Sequence, residues 1–354
     1  MKTRMLPISI ESPDRHSLET AAALITDGQL VAFPTETVYG LGADAFNPTA
    51  VQSIFSVKKR PSTDPIIVHI ENKKDLTSVA INIPELAWKL ANRYWPGPLT
   101  LILEKHPNIP FAITAGGTSV AVRMPDHPIA LMLIALSGCP VAAPSANQFS
   151  RPSPTQAHHV WNDLKGRIPM ILDSGPTHIG LESTVLDLMQ SPPCILRPGG
   201  IPLEKLKTMI PDIQVRKSFL KESKQNQLSP GQLFKHYSPN VPLLLFQGPS
   251  PEKVTRAMYA YMKKMMGNQK QIGAMIAEED IVLFQELQQK GGRIENMGSI
   301  NQLDQIAQNL FSCMRNLEAS NVDMILICLP PDNELGLAIN DRLVRAAKDV
   351  VWIN

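Results

Sequence analysis

The chain is 354 residues long, more than one domain usually holds, so two domains are expected. Its 44% apolar and 19% charged content suits ordered cores and argues against disorder. A net charge of +2 excludes a global basic field that would demand nucleic acid, so any anion site has to be a local patch.

Lys2 and Arg4 stand at the N-terminus, but Pro7, Glu11 and Asp14 interrupt any signal-peptide core. Residues 17–26 read as an opening helix closed by the turn signal Asp27-Gly28. A strand, Leu30-Val31-Ala32-Phe33, is halted by Pro34, which cannot donate to a sheet ladder. Thr35, Glu36, Thr37 and Tyr39 then crowd a turn in which Gly40 and Gly42 permit close backbone approach. A helix begins at Asn47-Pro48, with Val51, Ile54 and Phe55 on one face, and runs into Lys58-Lys59-Arg60-Pro61. Lys58 and Arg60 are expected at an exposed helix end, where a solvated face favoured by the helix dipole is the plain alternative to a site. The strand 66–70, with His69 near its end, follows.

Residues 83–94 form a second amphipathic helix, closed by Trp95-Pro96-Gly97-Pro98, and 99–103 a short strand. The stretch from Thr114 through Thr118 to Ser119 leads into the strand Val120-Ala121-Val122-Arg123. An arginine at the mouth of an apolar strand requires an anion. The apolar helix 129–136 is too short to span a bilayer, so a soluble, cytoplasmic protein is expected. The strand 140–143 delivers Ser145-Ala146-Asn147, with Ser153 shortly after. His158 and His159, adjacent on the helix 155–164, do not share a face, which disfavours a metal pair. Residues 171–176 and Gly180-Leu181-Glu182-Ser183-Thr184-Val185 read as strand and loop, and Ile195-Leu196-Arg197 ends another strand with a cation.

Residues 216–228 are polar and basic and read as a linker, ending in Pro230-Gly231 and then Lys235-His236-Tyr237-Ser238-Pro239. Beyond it, strands at 241–246, 272–276 and 324–329 alternate with helices at 251–266, 300–320 and 335–348. That alternation describes a small α/β domain with a largely parallel sheet. The expected boundaries are 1–212, 213–240 and 241–354. Cys139, Cys194, Cys313 and Cys328 form no CxxC pair, which fits buried thiols in a reducing cytosol better than disulfides or zinc. No Walker-type loop, GxGxxG after a strand, HExxH or GxSxG occurs, so phosphate binding has to rest on dispersed cations and backbone groups.

The order strand, Pro-Thr-Glu-Thr turn, helix, Lys-x-Arg-Pro, strand with His closely resembles the YrdC-like threonylcarbamoyl-AMP synthases in their two-domain, long form. The Val-Arg-x-Pro, Ser-x-Asn, Gly-Leu-Glu-Ser-Thr-Val and Lys-His-Tyr-x-Pro segments agree, as does the segment 334–343 with the C-terminal domain of those enzymes. Phe149-Ser150 departs from the family's usual Ser-Gly. The resemblance implies a twisted, mixed YrdC-like sheet with helices and a concave basic groove, plus a smaller Rossmann-like α/β domain. It implies a nucleotidyltransferase that joins L-threonine, bicarbonate and ATP, with Mg2+, into threonylcarbamoyl-AMP and pyrophosphate. The product would pass to the tRNA threonylcarbamoyl transferase machinery, and no membrane is involved. Carried over, Lys58 and Arg60 are catalytic and hold the carbamate and phosphates. Thr35, His69, Thr118, Arg123 and Ser183 contact threonine. Ser62, Ser145, Asn147, Ser153, Arg197 and Tyr237 join Lys58 and Arg60 on the ATP side, with no protein metal ligand. The linker, with Tyr237, is expected to fold over the nucleotide as a lid. The rival reading is a non-catalytic RNA- or nucleotide-binding module with weak RNA contact through Lys58, Lys59 and Arg60. Aromatic content of only 5% and the near-neutral charge weigh against it.

Overall fold

A computed structural model describes residues 1–216 and 236–354. They divide into two compact units, 1–149 with 153–216, and 150–152 with 236–354.

The first unit holds β1 (Arg4–Pro7), β2 (Val31–Phe33), β3 (Gly40–Asp44), β4 (Ile67–His69), β5 (Leu99–Glu104) and β6 (Ser119–Arg123). It continues with β7 (Val141–Ala142), β8 (Met170–Asp173), β9 (Thr184–Asp187), β10 (Cys194–Arg197) and β11 (Gln214–Val215). These strands form one sheet in the order β1-β8-β2-β3-β7-β4-β6-β5-β9-β10-β11. Its directions are mixed: β4 runs parallel to β6 and antiparallel to β7, while β2 and β3 are antiparallel. Most strands are short and buried, and their ends open into the loops that carry polar residues. Two apolar clusters cover the sheet, one around Leu41, Val68, Leu90 and Val122, the other around Leu18, Phe33, Ile129 and Leu133.

Helix Pro48–Lys58 starts where local chemistry places it. The Asn47 side chain accepts from the Thr49 and Ala50 amides, proline occupies the first turn, and Lys59 at φ 55° closes the helix in the left-handed region. Strand β3 corrects the placing of Gly40 and Gly42 in a turn. A Cβ on Gly42 would lie 2.8 Å from Cε1 of Phe33 and 2.9 Å from Cγ1 of Val141, so glycine here makes room for packing within a strand.

The second unit contains β12 (Leu243–Gln247), β13 (Ile272–Ile276), β14 (Arg293–Asn296), β15 (Met324–Cys328) and β16 (Asp349–Trp352) in the order β14-β13-β15-β12-β16. Every pairing is parallel, as the alternation of apolar runs and helices predicts. The edge strands β14 and β16 and the helix Ile281–Gln289 escape the sequence reading. Edge strands expose one side of their ladder, and the sequences RIEN and DVVW carry the charges that such edges tolerate. Among the described residues no helix is long and apolar enough to cross a membrane.

Candidate active site

Lys58, in the last turn of its helix, is only 1% exposed. Its Nζ donates to the carbonyls of Ser145 at 2.5 Å and Asn147 at 2.6 Å, with Asn147 Oδ1 at 3.5 Å. Arg60 is likewise buried. Its Nε donates to Asp64 O at 3.1 Å, its Nη2 donates to Pro65 O at 2.6 Å, and the guanidinium pairs with Asp64 Oδ2 at 3.0 Å. The expected exposed helix end is therefore corrected. The loop after β7 lays its carbonyls on the last helical turn, where the Phe149 amide also donates to Lys58 O, and of the three cations Lys58, Lys59 and Arg60 it is Lys59 that is exposed. Burial, and then the neighbouring Arg60, push the Lys58 ammonium well below the usual lysine range. Ser145 is half-buried and Asn147 buried beside it, whereas Ser62 is exposed on the turn after Pro61.

A second polar cluster forms around the turn after β2. Thr35 Oγ1 donates to Val38 O at 2.7 Å and shares a 2.8 Å hydrogen bond with Thr37 Oγ1. Glu36, 1% exposed, brings Oε1 to 2.5 Å from Nη2 of Arg123, whose Nε donates to Gly97 O. The anion that the arginine requires is thus supplied by the protein itself. His69 lies opposite Arg123 in the register of β4 and β6. Burial, followed by the Arg123 charge, pushes its imidazole down to about 3, so it is neutral near pH 7. Its Nδ1 has no hydrogen-bond partner among the described residues.

Backbone bonds stitch this turn to two other loops. Ile179 N donates to Glu36 O, Gly180 N to Thr37 O, and Tyr39 N to Pro154 O. The same loops place Ser153, whose hydroxyl donates to Glu182. Ser183 Oγ lies 2.7 Å from Thr100 Oγ1 and accepts from Arg197 Nη2 at 3.1 Å. Ser183 and Arg197, assigned by resemblance to different substrates, are therefore bonded to each other.

The structure brings together Lys58, Ser145 and Asn147 in one group, His69 and Arg123 in a second, and Ser183 with Arg197 in a third. Thr118 does not join Arg123. It is exposed at the opposite end of β6, five residues away, about 16 Å along a strand. Tyr237 belongs to the second unit, 1% exposed, stacked on Phe311 at 5.5 Å with Arg342 over its ring at 5.2 Å. The lid expectation, with Pro230, Gly231 and Lys235, falls on residues 217–235, outside the described residues. Sequence reasoning missed Glu36 and Thr100 as site members. The signal for Glu36 was a lone carboxylate between two hydroxyls at the end of a buried strand.

The mixed sheet, with buried cations and polar loops gathered at its strand ends, defines a YrdC-like α/β protein carrying a second, parallel α/β unit. Residues 23–199 match the Sua5, YciO and YrdC family, described as telomere recombination, and residues 201–348 match the threonylcarbamoyl-AMP synthase C-terminal domain. Threonylcarbamoyl-AMP synthase from Pyrococcus abyssi is 42% identical over 340 residues, 95% of this chain and 96% of that protein. The Bacillus subtilis enzyme of the same name is 42% identical over 98% of both chains. The crystal structure of P. abyssi Sua5 complexed with L-threonine superposes with a TM-score of 0.92 at 40% identity, covering 99% of this chain and 100% of that one. The chain belongs to the threonylcarbamoyl-AMP synthase family.

Proposed function

We propose that the chain converts L-threonine, bicarbonate and ATP into L-threonylcarbamoyl-AMP and pyrophosphate, the first step of threonylcarbamoyladenosine formation in tRNA. The observation that carries this reading is the buried group of unmet polar atoms, on Glu36, Arg123 and His69, in a chain that matches these synthases along nearly its whole length.

In the first half-reaction the threonine amine forms a bond to the bicarbonate carbon and water leaves, giving a carbamate. In the second, a carbamate oxygen attacks the α-phosphorus and the bond to pyrophosphate breaks, which makes the enzyme a nucleotidyltransferase. Such a transfer asks for positioning and for cations on the developing phosphate charge rather than for a strong base. Lys58 and Arg60 are assigned that task, with Ser62, Ser145, Asn147, Ser153, Arg197 and Tyr237 on the nucleotide side. Thr35, His69, Arg123 and Ser183 are assigned to threonine; Thr118, from its position, would act at the far end of β6.

Among the described residues no three carboxylate, histidine or cysteine side chains gather as a metal cage. Mg2+ is expected to arrive with the nucleotide and to be held mainly by phosphate and water. Held so, magnesium would supply neutralisation of phosphate charge. The catalytic work is assigned to residues 1–212, with 213–240 as linker and 241–354 as the accessory domain. The labile adenylate would be taken up by transferase machinery acting on tRNA in the cytoplasm.

The test is incubation with ATP, threonine and bicarbonate, followed by assay of pyrophosphate and the adenylate. Omission of threonine or bicarbonate should abolish both products. ATP breakdown that continues unchanged without threonine would reject the reading.

A further inference from the structure

The Glu36 carboxylate is engaged through one oxygen only. Oε1 faces Arg123, whereas among the described residues no hydrogen-bond donor reaches Oε2. At 1% exposure, bulk water does not make up the deficit. A buried, ionised acceptor left bare is costly, and folds keep one where something else completes it. Two neighbours share the deficit: Nη2 of Arg123 makes no aligned hydrogen bond despite the ion pair, and Nδ1 of His69 has no partner.

The charges around this gap match one kind of ligand. An α-amino acid in its ordinary form carries one carboxylate and one ammonium group. Arg123 offers a cation, Glu36 offers an anion with a vacant acceptor position, and His69 adds a neutral ring. Asp126 and His127 lie within electrostatic reach of Glu36, but Asp126 adds only a further acceptor and Nδ1 of His127 already accepts from the Ile129 amide. Neither supplies the missing donor.

We propose that Glu36 is the acceptor for the α-ammonium group of threonine, so that Glu36 and Arg123 together recognise the amino acid as a zwitterion. This rests on the reading that places threonine beside Arg123. Since the two side chains neutralise each other, the pocket disfavours ligands that carry only an acid or only an amine. Glu36 also fixes the nitrogen, which bonds to carbon after the ammonium has given up a proton to become the free amine.

Calorimetry with threonine and with 2,3-dihydroxybutanoate, in which a hydroxyl replaces the ammonium, tests this directly. The wild-type protein should prefer threonine by about 100-fold, the scale of one charge-assisted hydrogen bond. Glu36→Gln should weaken threonine by about the same factor while leaving the deaminated ligand within about threefold. A Glu36 that only holds Arg123 in place would weaken both ligands alike, and that result overturns the proposal. If the variant does not fold, the wild-type comparison decides: a large preference supports the assignment, and equal affinities overturn it. Arg123→Ala separates the two levels of the argument. Unchanged threonine affinity in that variant would remove the placement of threonine, and the proposal with it.

Discussion

Charged side chains are buried in both units, and they are closed in different ways. In the second unit Asp341 accepts from Arg342 on one oxygen and from Arg345 on the other, both at 3.0 Å. Glu318 takes Arg151 through two bonds of 2.6 Å, and the Asn240 amide adds a third at 2.8 Å. Both carboxylates are used on both oxygens. In the first unit Glu36 is used on one, and Lys58 spends its ammonium on carbonyls of a loop rather than on a carboxylate. The two carboxylates of the second unit close on their arginines, whereas among the described residues the Glu36–Arg123 pair leaves one acceptor position open. Geometry therefore separates the two kinds more sharply than burial does.

The largest expected effect is at Lys58, whose buried ammonium rests on loop carbonyls. Lys58→Ala should lower kcat/KM by about 100- to 1,000-fold, the range for removing one donor from developing charge. Because Lys58 is buried, it should also destabilise the fold by about 1–3 kcal/mol, by leaving two carbonyls without their donor. Threonine-dependent pyrophosphate release and a urea titration measure the two losses. Activity within threefold of the parent would place Lys58 with the structural charges.

Asp341→Asn tests the closed arrangement. Removal of a charge shared by two buried arginines should cost about 3 kcal/mol in denaturant unfolding. Threonine affinity, measured by calorimetry on the folded variant, should stay the same. A loss of affinity without loss of stability would reverse the comparison.

Acid should act through the first unit. His69 and His127 are held near 3 and near 4, in both cases first by burial, against an unfolded value of 6.5. Below pH 6.5 the unfolded chain takes up protons that the native chain refuses, so stability falls as the pH drops. At pH 5 each histidine contributes about 2 kcal/mol of that loss. Melting at pH 7.5 and pH 5 should show it, and His69→Asn should flatten the slope.

The smallest effect belongs to the surface. Glu252 and Arg256, four residues apart on a helix and both more than 70% exposed, make an ion pair at 2.8 Å. Glu252→Ala should leave the melting curve and the rate of adenylate formation unchanged, as most exposed pairs do.

Some of this architecture is readable from local sequence. The helix Pro48–Lys58 begins where Asn47 and Pro48 say it should, because capping involves residues within one turn. The parallel sheet of the second unit follows from alternating apolar runs and helices. What sequence order hides is the long-range partner. Arg123 announces that it needs an anion but not that Glu36 provides it, since only the folded sheet brings the turn after β2 to the end of β6. Lys58 looks like a solvated cation until the Ser145–Asn147 loop covers it, and Arg60 until Asp64 and Pro65 fold against it. Gly40 and Gly42 read as turn residues because their strand role depends on a ring from another strand.

That ring also limits what the gene can vary. A single base change converts any glycine codon into one for alanine, so Gly42 is continually offered the smallest of substitutions. Its added methyl would meet the Phe33 ring at 2.8 Å, and that ring stands edge-on to His69 with centroids 6.5 Å apart. Alanine at Gly42 would thus push on the ring that borders His69. Drift at this position should be filtered by loss of folding and by displacement of His69.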